Sequence, residues 1–180
     1  MGDKTYFDYL TTAMTMLASN EKSLFCGQAV AVEGTAMRKT LQGVPDNMLI
    51  EFPVDEDFQM GFVTGLAFAG YNPICIFPRF NFLLVATNQI VNYLDKLKEV
   101  GRFKIPPKVI IRTSIGSEHP LNPGFQHVGD YTVAFRQLLK NVEVVRLDRK
   151  EMILPSYQKA QERLDGVSTL IIEYGDYYNK

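Results

Sequence analysis

The sequence predicts an α/β protein, a doubly wound three-layer sandwich in which a mostly parallel sheet lies between two layers of helices. Short apolar segments rich in β-branched residues alternate with longer segments of helical period from residue 23 to residue 173. Such alternation is satisfied by parallel strands joined through right-handed helical crossovers. Neither an internal repeat nor a low-complexity linker interrupts it, and 180 residues suit one domain, so we expect residues 1–180 to form a single domain.

Boundaries in the first half of the chain come from residues that end helices or strands. The helical period that begins at Tyr6 stops at Ser19-Asn20, and Gly27 closes the first strand. Pro53 cannot donate a ladder hydrogen bond, so the second strand ends before it. The predicted elements are a helix at 6–17, a strand at 23–26, a loop at 28–34, a short helix at 37–41, a strand at 47–52, a helix at 58–70 and a strand at 74–77.

The helix at 58–70 is unusually apolar and rich in glycine. Gly61, Gly65 and Gly70 recur at spacings of four and five, with Phe, Val, Leu and Ala between them. Such a composition lets a helix approach a neighbouring backbone closely and does not suit a solvated face. We therefore expect this helix to be buried.

In the second half, a long segment rich in Gly and Pro separates the predicted elements. This segment, 113–129, contains both histidines, His119 and His127, and is expected to be a functional or a mobile loop. Asp130 can cap the helix that follows, and Pro155 is expected to distort the last helix. The predicted elements are a long helix at 83–98, a strand at 109–111, a helix that ends at 139, a strand at 142–145, a helix at 149–164 and a strand at 167–173.

Composition and charge exclude several classes of function. Hydrophobic residues make up 46% of the chain and charged residues 22%, which is typical of a globular protein and not of a disordered one. The net charge is -1 and the pI is about 6.1, so neither nucleic acid nor an anionic membrane is an expected partner. No targeting segment and no apolar run of about 18 residues is visible, which favours a cytoplasmic protein.

The two cysteines, Cys26 and Cys75, both lie inside apolar segments of predicted strands. Free cysteines behave as small hydrophobic residues in such positions. We therefore expect two buried thiols in a reducing compartment and no disulfide.

The most conspicuous candidate for a chemical role is Glu56, in the short acidic loop after the second strand. Open α/β sheets bind ligands beyond the carboxyl ends of their strands, and both Glu56 and the Phe80-Asn81-Phe82 segment, predicted as a loop, lie there. Acidic residues also suit the positive end of a helix dipole, so a purely structural role stays open. A Rossmann-type nucleotide site is excluded, since no GxGxxG follows the first strand.

A combination of motifs in this region resembles a known family. PVDE is followed by GFVTGLAFAGYNPICIFPRFNF and then by NQIVN. Together they resemble the pyrimidine-binding domain of thiamine-diphosphate enzymes, in particular the beta subunit of the decarboxylating component of 2-oxoacid dehydrogenases. The resemblance is nearly continuous over 27–92, and weaker colinear matches extend to residue 173. It implies the transketolase-like, thiamine-diphosphate-binding fold.

The resemblance also implies roles for individual residues. Glu56 matches the glutamate that hydrogen-bonds the aminopyrimidine of thiamine diphosphate and promotes its imino form, and Phe82 matches the aromatic residue that stacks on that ring. Phe80 is the next candidate for the stacking position. His127 matches a histidine on the substrate side of the site, whereas His119 has no counterpart. The resemblance thus implies Glu56 and His127 as catalytic residues and Glu56, Phe82 and Phe80 as cofactor-binding residues, with no metal ligand in this chain.

At several positions the sequence departs from the family pattern. Gln28-Ala29 stands in place of an acidic pair, Ile76 in place of a glutamate, and Pro78 in place of a residue that usually contacts the cofactor. Substrate and partner are therefore expected to differ from those of the pyruvate-type complexes. The chain also lacks the GDG motif, followed after roughly two dozen residues by NN, with which the companion domain binds diphosphate and metal.

These observations lead to two hypotheses from different classes. In the first, the chain is a standalone pyrimidine-binding domain without the carboxyl-terminal transketolase-type domain. It works as a homodimer or heterotetramer with an alpha-type subunit that holds the diphosphate and Mg²⁺. Oxidative decarboxylation, simple decarboxylation and ketol transfer all remain open. In the second, the chain is a non-catalytic interaction or regulatory subunit that retains the fold.

Overall fold

The computed structural model describes residues 4–103, 106–119 and 122–178. Within these ranges six strands form one sheet in the order β2-β1-β3-β4-β6-β5, and every neighbouring pair is parallel. The predicted α/β class with a parallel sheet is therefore confirmed. The strands are β1 (Ser23–Gly27), β2 (Leu49–Glu51), β3 (Asn72–Phe77), β4 (Ile110–Ile115), β5 (Val142–Arg146) and β6 (Ser168–Tyr174).

Helices cover both faces of this sheet, as the predicted sandwich requires. The α-helices are α1 (Tyr6–Ala18), α2 (Ala36–Lys39), α3 (Glu56–Phe68), α4 (Phe80–Leu83), α5 (Leu97–Val100), α6 (Thr132–Leu138) and α7 (Ile153–Glu162). Buried side chains of α1, α2 and α7 form one hydrophobic core with the sheet. Those of α3, α4 and α6, with Leu97 of α5, form a second core on the opposite face.

The winding of the chain reverses between β1 and β3. From β1 the chain moves outward to β2 on one side, and β3 then begins the other half of the sheet, next to β1. At this point the two backbones approach closely. A Cβ on Gly27, whose φ is +156°, would lie 2.1 Å from the carbonyl oxygen of Ile76. The loops that leave β1 and β3 therefore diverge from a common point, the usual ligand position in such folds.

The prediction of one continuous helix over residues 83–98 is wrong. A helical turn, α4, replaces the predicted loop at 80–82, and later residues form a π-helical segment, Gln89–Tyr93, and a 3₁₀ segment, Leu94–Lys96, before α5. The reason is a tertiary contact. The buried Asp95 carboxylate accepts hydrogen bonds from the backbone N–H groups of Lys140 (2.8 Å) and Asn141 (2.7 Å), which ties this segment to the loop before β5.

Two further element boundaries differ from the sequence-based prediction. The strand predicted at 109–111 continues through Arg112 to Ile115, so the irregular segment begins at 116. Pro155 does not distort α7, because it is the third residue of that helix. Residues in the first turn have no intrahelical acceptor for their N–H group, and proline is therefore tolerated there.

Both cysteines are buried free thiols, as predicted. Cys26 of β1 and Cys75 of β3 are register partners in the sheet. Burial raises the pKa of both thiols, that of Cys26 to about 12. In the described part of the chain, no helix is both long and apolar enough to cross a membrane.

Candidate functional site

Glu56 is the first residue of α3 and lies beside the carboxyl ends of β1 and β3. Asp55 caps the helix by accepting a hydrogen bond from the N–H of Phe58 (3.0 Å). The Glu56 side chain is only 7% exposed. Its Oε1 accepts a hydrogen bond from Nε2 of Gln28 (3.1 Å), the first residue after β1. Among the described residues nothing donates to Oε2 of Glu56, so this oxygen is available to a ligand.

The helix that carries Glu56 is fixed at its first turn by two anchors. Gln59 donates from Nε2 to the carbonyl oxygen of Ile76 (3.0 Å) and to Sγ of Cys75 (3.3 Å) in β3. Asp57 accepts a hydrogen bond from Nε2 of Gln89 (2.9 Å) in the π-helical segment. The position of the Glu56 backbone is therefore determined by contacts with the sheet and with the neighbouring helical segment.

A second group of side chains lies after β3 and includes Phe82 and His127. The half-buried Phe82 ring meets the His127 ring edge to face, with 5.7 Å between the centroids. Arg79 donates from Nη1 to the carbonyl oxygens of Gly116 and His127, both at 3.2 Å. Nδ1 of His127 is buried and makes no hydrogen bond with a described residue. Arg79 thus fixes the loop that brings His127 to Phe82.

Phe80, the other aromatic candidate, has a different place. It is fully buried, and its ring packs against Tyr131 (5.4 Å between centroids) and Phe135 (5.3 Å). A ring enclosed in the core has no face to offer a planar ligand. Of the two phenylalanines predicted to contact a cofactor, only Phe82 therefore has accessible surface at this edge of the sheet.

The structure places Glu56 and Phe82 on the same side of the sheet. Both α3 and α4 contribute to the same hydrophobic core, and both begin at the carboxyl edge. His127 joins them through its contact with Phe82. His119, in contrast, is exposed, and its backbone N–H is bound by the carboxylate of Asp176 (2.9 Å). The sequence-based prediction of one edge for Glu56 and Phe82 is confirmed.

Three residues that sequence reasoning did not assign also shape the site. In the sequence Gln28 is only a departure from the family pattern. Its bond to Glu56 joins residues 28 positions apart, which the sequence does not indicate. Glu51, the last residue of β2, binds the loop after β1 through three backbone N–H groups. No local sequence pattern predicts the contacts of Arg79. The only signals in the sequence were polar residues directly after or at the end of apolar strands.

One side of α3 forms an exposed apolar surface, although the sequence predicted a buried helix. Met60, Val63 and Ala67 face the core, whereas the opposite side of the helix is open to solvent in this single chain. We define the α3 surface by Phe58 and Phe62 of this side, which are 48% and 45% exposed, and by Val54 just before the helix, which is 80% exposed. Exposed apolar surfaces of this kind mark contacts with other chains.

Comparison with known proteins gives partial matches in sequence. No protein-family model matches the chain. The mitochondrial pyruvate dehydrogenase E1 component subunit beta of Caenorhabditis elegans is 33% identical over 72 residues, which cover 40% of this chain and 20% of that protein. Its counterpart from Gracilaria tenuistipitata var. liui is 30% identical over 131 residues, 66% of this chain and 40% of that protein. The match therefore spans well under half of each relative.

Solved structures match nearly the whole chain. A structure described as a split gene transketolase, inactive beta4 tetramer, has a TM-score of 0.69 at 17% identity and covers 97% of this chain and 52% of the other. A protein from Mycobacterium smegmatis described as a thiamin diphosphate-dependent enzyme has a TM-score of 0.65 at 12% identity, over 97% and 31% of the two chains. The chain is thus similar in sequence to part of the pyruvate dehydrogenase E1 beta subunits and has the transketolase-like, thiamine-diphosphate-binding fold.

Proposed function

We propose that this chain is the pyrimidine-binding subunit of a split thiamine-diphosphate-dependent enzyme. The observation that carries the proposal is Glu56, a buried carboxylate at the switch point of the sheet. One of its oxygens is held by Gln28, and the other has no described partner. This second oxygen is not among the buried side-chain atoms that lack a hydrogen-bond partner, so it is open to an approaching ligand. The arrangement fits the pyrimidine half of the cofactor.

Each side chain at this edge has a task that its geometry supports. Thiamine diphosphate, when bound, would supply a carbon nucleophile. Glu56 would hydrogen-bond the pyrimidine ring through Oε2, and Gln28 fixes the carboxyl orientation through Oε1. Phe82 offers a ring face for stacking. His127 has a buried Nδ1 that no described residue satisfies, and we assign to it the exchange of protons with the substrate.

A complete site needs groups that we assign to a second subunit. The sequence has no diphosphate-binding GDG motif, and the described residues contain no cluster of three or more His, Cys, Asp or Glu side chains able to hold a metal. We assign the diphosphate and Mg²⁺ to an alpha-type partner. The relatives are named as beta subunits of a larger component, and the split gene transketolase is described as inactive in its beta4 form. Both descriptions favour an enzyme that works only with its partner.

Reconstitution tests the proposal. We expect the isolated chain to bind thiamine diphosphate with Mg²⁺ weakly in calorimetry and to catalyse nothing. After addition of an alpha-type subunit that carries the diphosphate motif, we expect carbon dioxide release from a 2-oxoacid or transfer of a two-carbon unit between sugars. A complex that forms but shows neither reaction over a panel of 2-oxoacids and ketose donors would indicate the non-catalytic interaction subunit instead.

The α3 surface predicts assembly as a homodimer or as a heterotetramer with the alpha-type subunit. Phe58 and Phe62 lie 5.8 Å apart between ring centroids and form one continuous apolar area with Phe52. Replacement of Phe62 by Glu places a charge in that area and is expected to shift the protein toward the monomer in light scattering at micromolar concentration. Leu164, which is 84% exposed elsewhere on the chain, provides the control variant Leu164→Glu.

The control is expected to assemble like the parent protein. A parent that is strictly monomeric, both alone and in the presence of the alpha-type subunit, would contradict the assignment of the α3 surface as a contact.

A further inference from the structure

Glu51 makes an unusual set of contacts with the loop that follows β1. Its Oε1 accepts a hydrogen bond from the N–H of Ala29 (2.7 Å), and its Oε2 accepts from the N–H groups of Val30 and Ala31, both at 2.8 Å. Successive backbone N–H groups that converge in this way form a concave anion site, and a carboxylate makes strong, charge-assisted bonds in it. One side chain thus fixes three consecutive residues of the loop.

The loop needs such a contact because of its backbone conformation. Ala29 has φ +55°, in the left-handed region that residues with a Cβ rarely adopt. Conformations of this kind persist only where the surroundings determine them. The Glu51 carboxylate provides one such contact, and the fully buried side chain of Val30 provides the other. Without the carboxylate, the N–H groups of the turn would no longer have a common acceptor.

The turn determines the direction of Gln28, the residue directly before it. On its amino-terminal side, Gln28 follows Gly27, which pairs with Glu51 in the β1–β2 ladder and whose carbonyl accepts from the N–H of Phe52 (2.8 Å). On its carboxyl-terminal side it is followed by the turn that Glu51 binds. Its amide then reaches Glu56 over 3.1 Å, and both side chains are more than nine-tenths buried.

We infer that Glu51 is a positioning residue: by binding the N–H groups of Ala29, Val30 and Ala31, it holds Gln28 in the orientation that fixes the Glu56 carboxyl group. The structural part of this inference concerns only contacts within the chain. Its consequence for the cofactor rests on the proposed function. Glu51 itself is exposed at the end of β2.

The variant Glu51→Gln tests the structural part in the full chain. The amide has the same shape, but it carries no charge and directs an NH₂ group at the N–H groups of the turn. In NMR spectra we expect an upfield shift and faster hydrogen exchange for the N–H groups of residues 29–31. The side-chain N–H groups of Gln28 should lose the chemical-shift difference that their hydrogen bond to Glu56 causes. Glu33→Gln, in the same loop, is the matched control, because Glu33 is exposed and hydrogen-bonds to no described residue.

The variant Glu51→Asp provides the conservative comparison. It keeps the charge but is one methylene shorter. It should therefore retain part of the hydrogen bonding to the three N–H groups and part of the Gln28–Glu56 bond. It also keeps the test decisive if Glu51→Gln does not fold. If either variant changes the N–H groups of residues 29–31 and leaves the Gln28 side-chain amide as in the parent, Glu51 holds the loop alone and the inference is wrong.

The second measurement is the exchange of the thiazolium proton in the reconstituted complex. Glu51→Gln is expected to slow it by about 10- to 100-fold, since small misplacements of a reacting group have effects of this size. In a Gln28→Leu background, the same change should add no further loss, because Glu51 acts through Gln28. An equal loss in both backgrounds overturns the inference. The failure of the proposed function is distinguishable: Glu56→Gln would then leave exchange unchanged, while the NMR result would still decide the contact.

Discussion

Replacement of Glu56 by Gln is expected to slow proton exchange at the thiazolium carbon by ~10²–10⁴-fold in the reconstituted complex, the usual contribution of a positioned acid-base group. The amide has nearly the same shape as the carboxyl group, can still accept from Gln28 and can donate to the pyrimidine ring, so most of the affinity for thiamine diphosphate should remain. An amide does not exchange protons as a carboxyl group does. The measurement is NMR of the cofactor proton in deuterated solvent.

Asp55→Asn is the matched control for this experiment. It removes one negative charge at the same end of α3, one residue away, and asparagine caps a helix about as well as aspartate. We expect exchange within a few-fold of the parent rate. If Glu56→Gln also exchanges as fast as the parent, Glu56 is an acidic residue that only stabilises the helix end. The catalytic assignment would then be wrong.

Replacement of Arg112 by Met is expected to lower the free energy of unfolding by ~3–5 kcal/mol, the cost of leaving one charge of a buried pair without its partner. Arg112 of β4 donates from Nε and Nη2 to the two oxygens of Glu173 in β6, at 2.7 and 3.0 Å. Both side chains are fully buried. The remaining partners of the carboxylate, the hydroxyl groups of Tyr157 and Tyr178, cannot neutralise its charge.

The hydroxyl groups act as donors in this cluster. Burial, followed by the charge of Glu173, raises the pKa of Tyr157 and Tyr178 well above the usual value, so both stay protonated. Burial disfavours the charged guanidinium, but the charge of Glu173 raises the pKa of Arg112 above its usual value. The guanidinium therefore stays charged in the interior, where it depends on the carboxylate that accepts its hydrogen bonds.

Urea unfolding of matched variants checks this prediction. Arg146→Met removes a partly exposed arginine that pairs with Asp130 and Asp148, and it should cost at most ~1 kcal/mol. The double variant Arg112→Met/Glu173→Leu removes both buried charges and should recover much of the loss, because apolar residues of similar volume often replace such pairs without penalty. A loss at Arg112 no larger than that at Arg146 would contradict the importance of the pair.

The sequence alone predicted the alternation of strands and helices, and hence the parallel sheet with both faces covered. That information is local: apolar period, proline and glycine positions and the length of each segment follow from neighbouring residues. The same reasoning placed Glu56 and Phe82 at one edge, since the carboxyl ends of parallel strands share an edge. The resemblance ranked Phe82 before Phe80, but the sequence could not show that packing against Tyr131 and Phe135 buries Phe80.

Only the tertiary structure decided which polar residues are paired inside the protein. The predicted strand ends at Ile111, yet Arg112 lies within β4, where its side chain donates to Glu173, 61 positions later. The bond from Gln28 to Glu56 likewise joins residues 28 positions apart. A hydrophobic pattern records which residues leave water. It does not record which distant partner satisfies a buried polar group, and here such partners hold Arg112 inside the protein and orient Glu56.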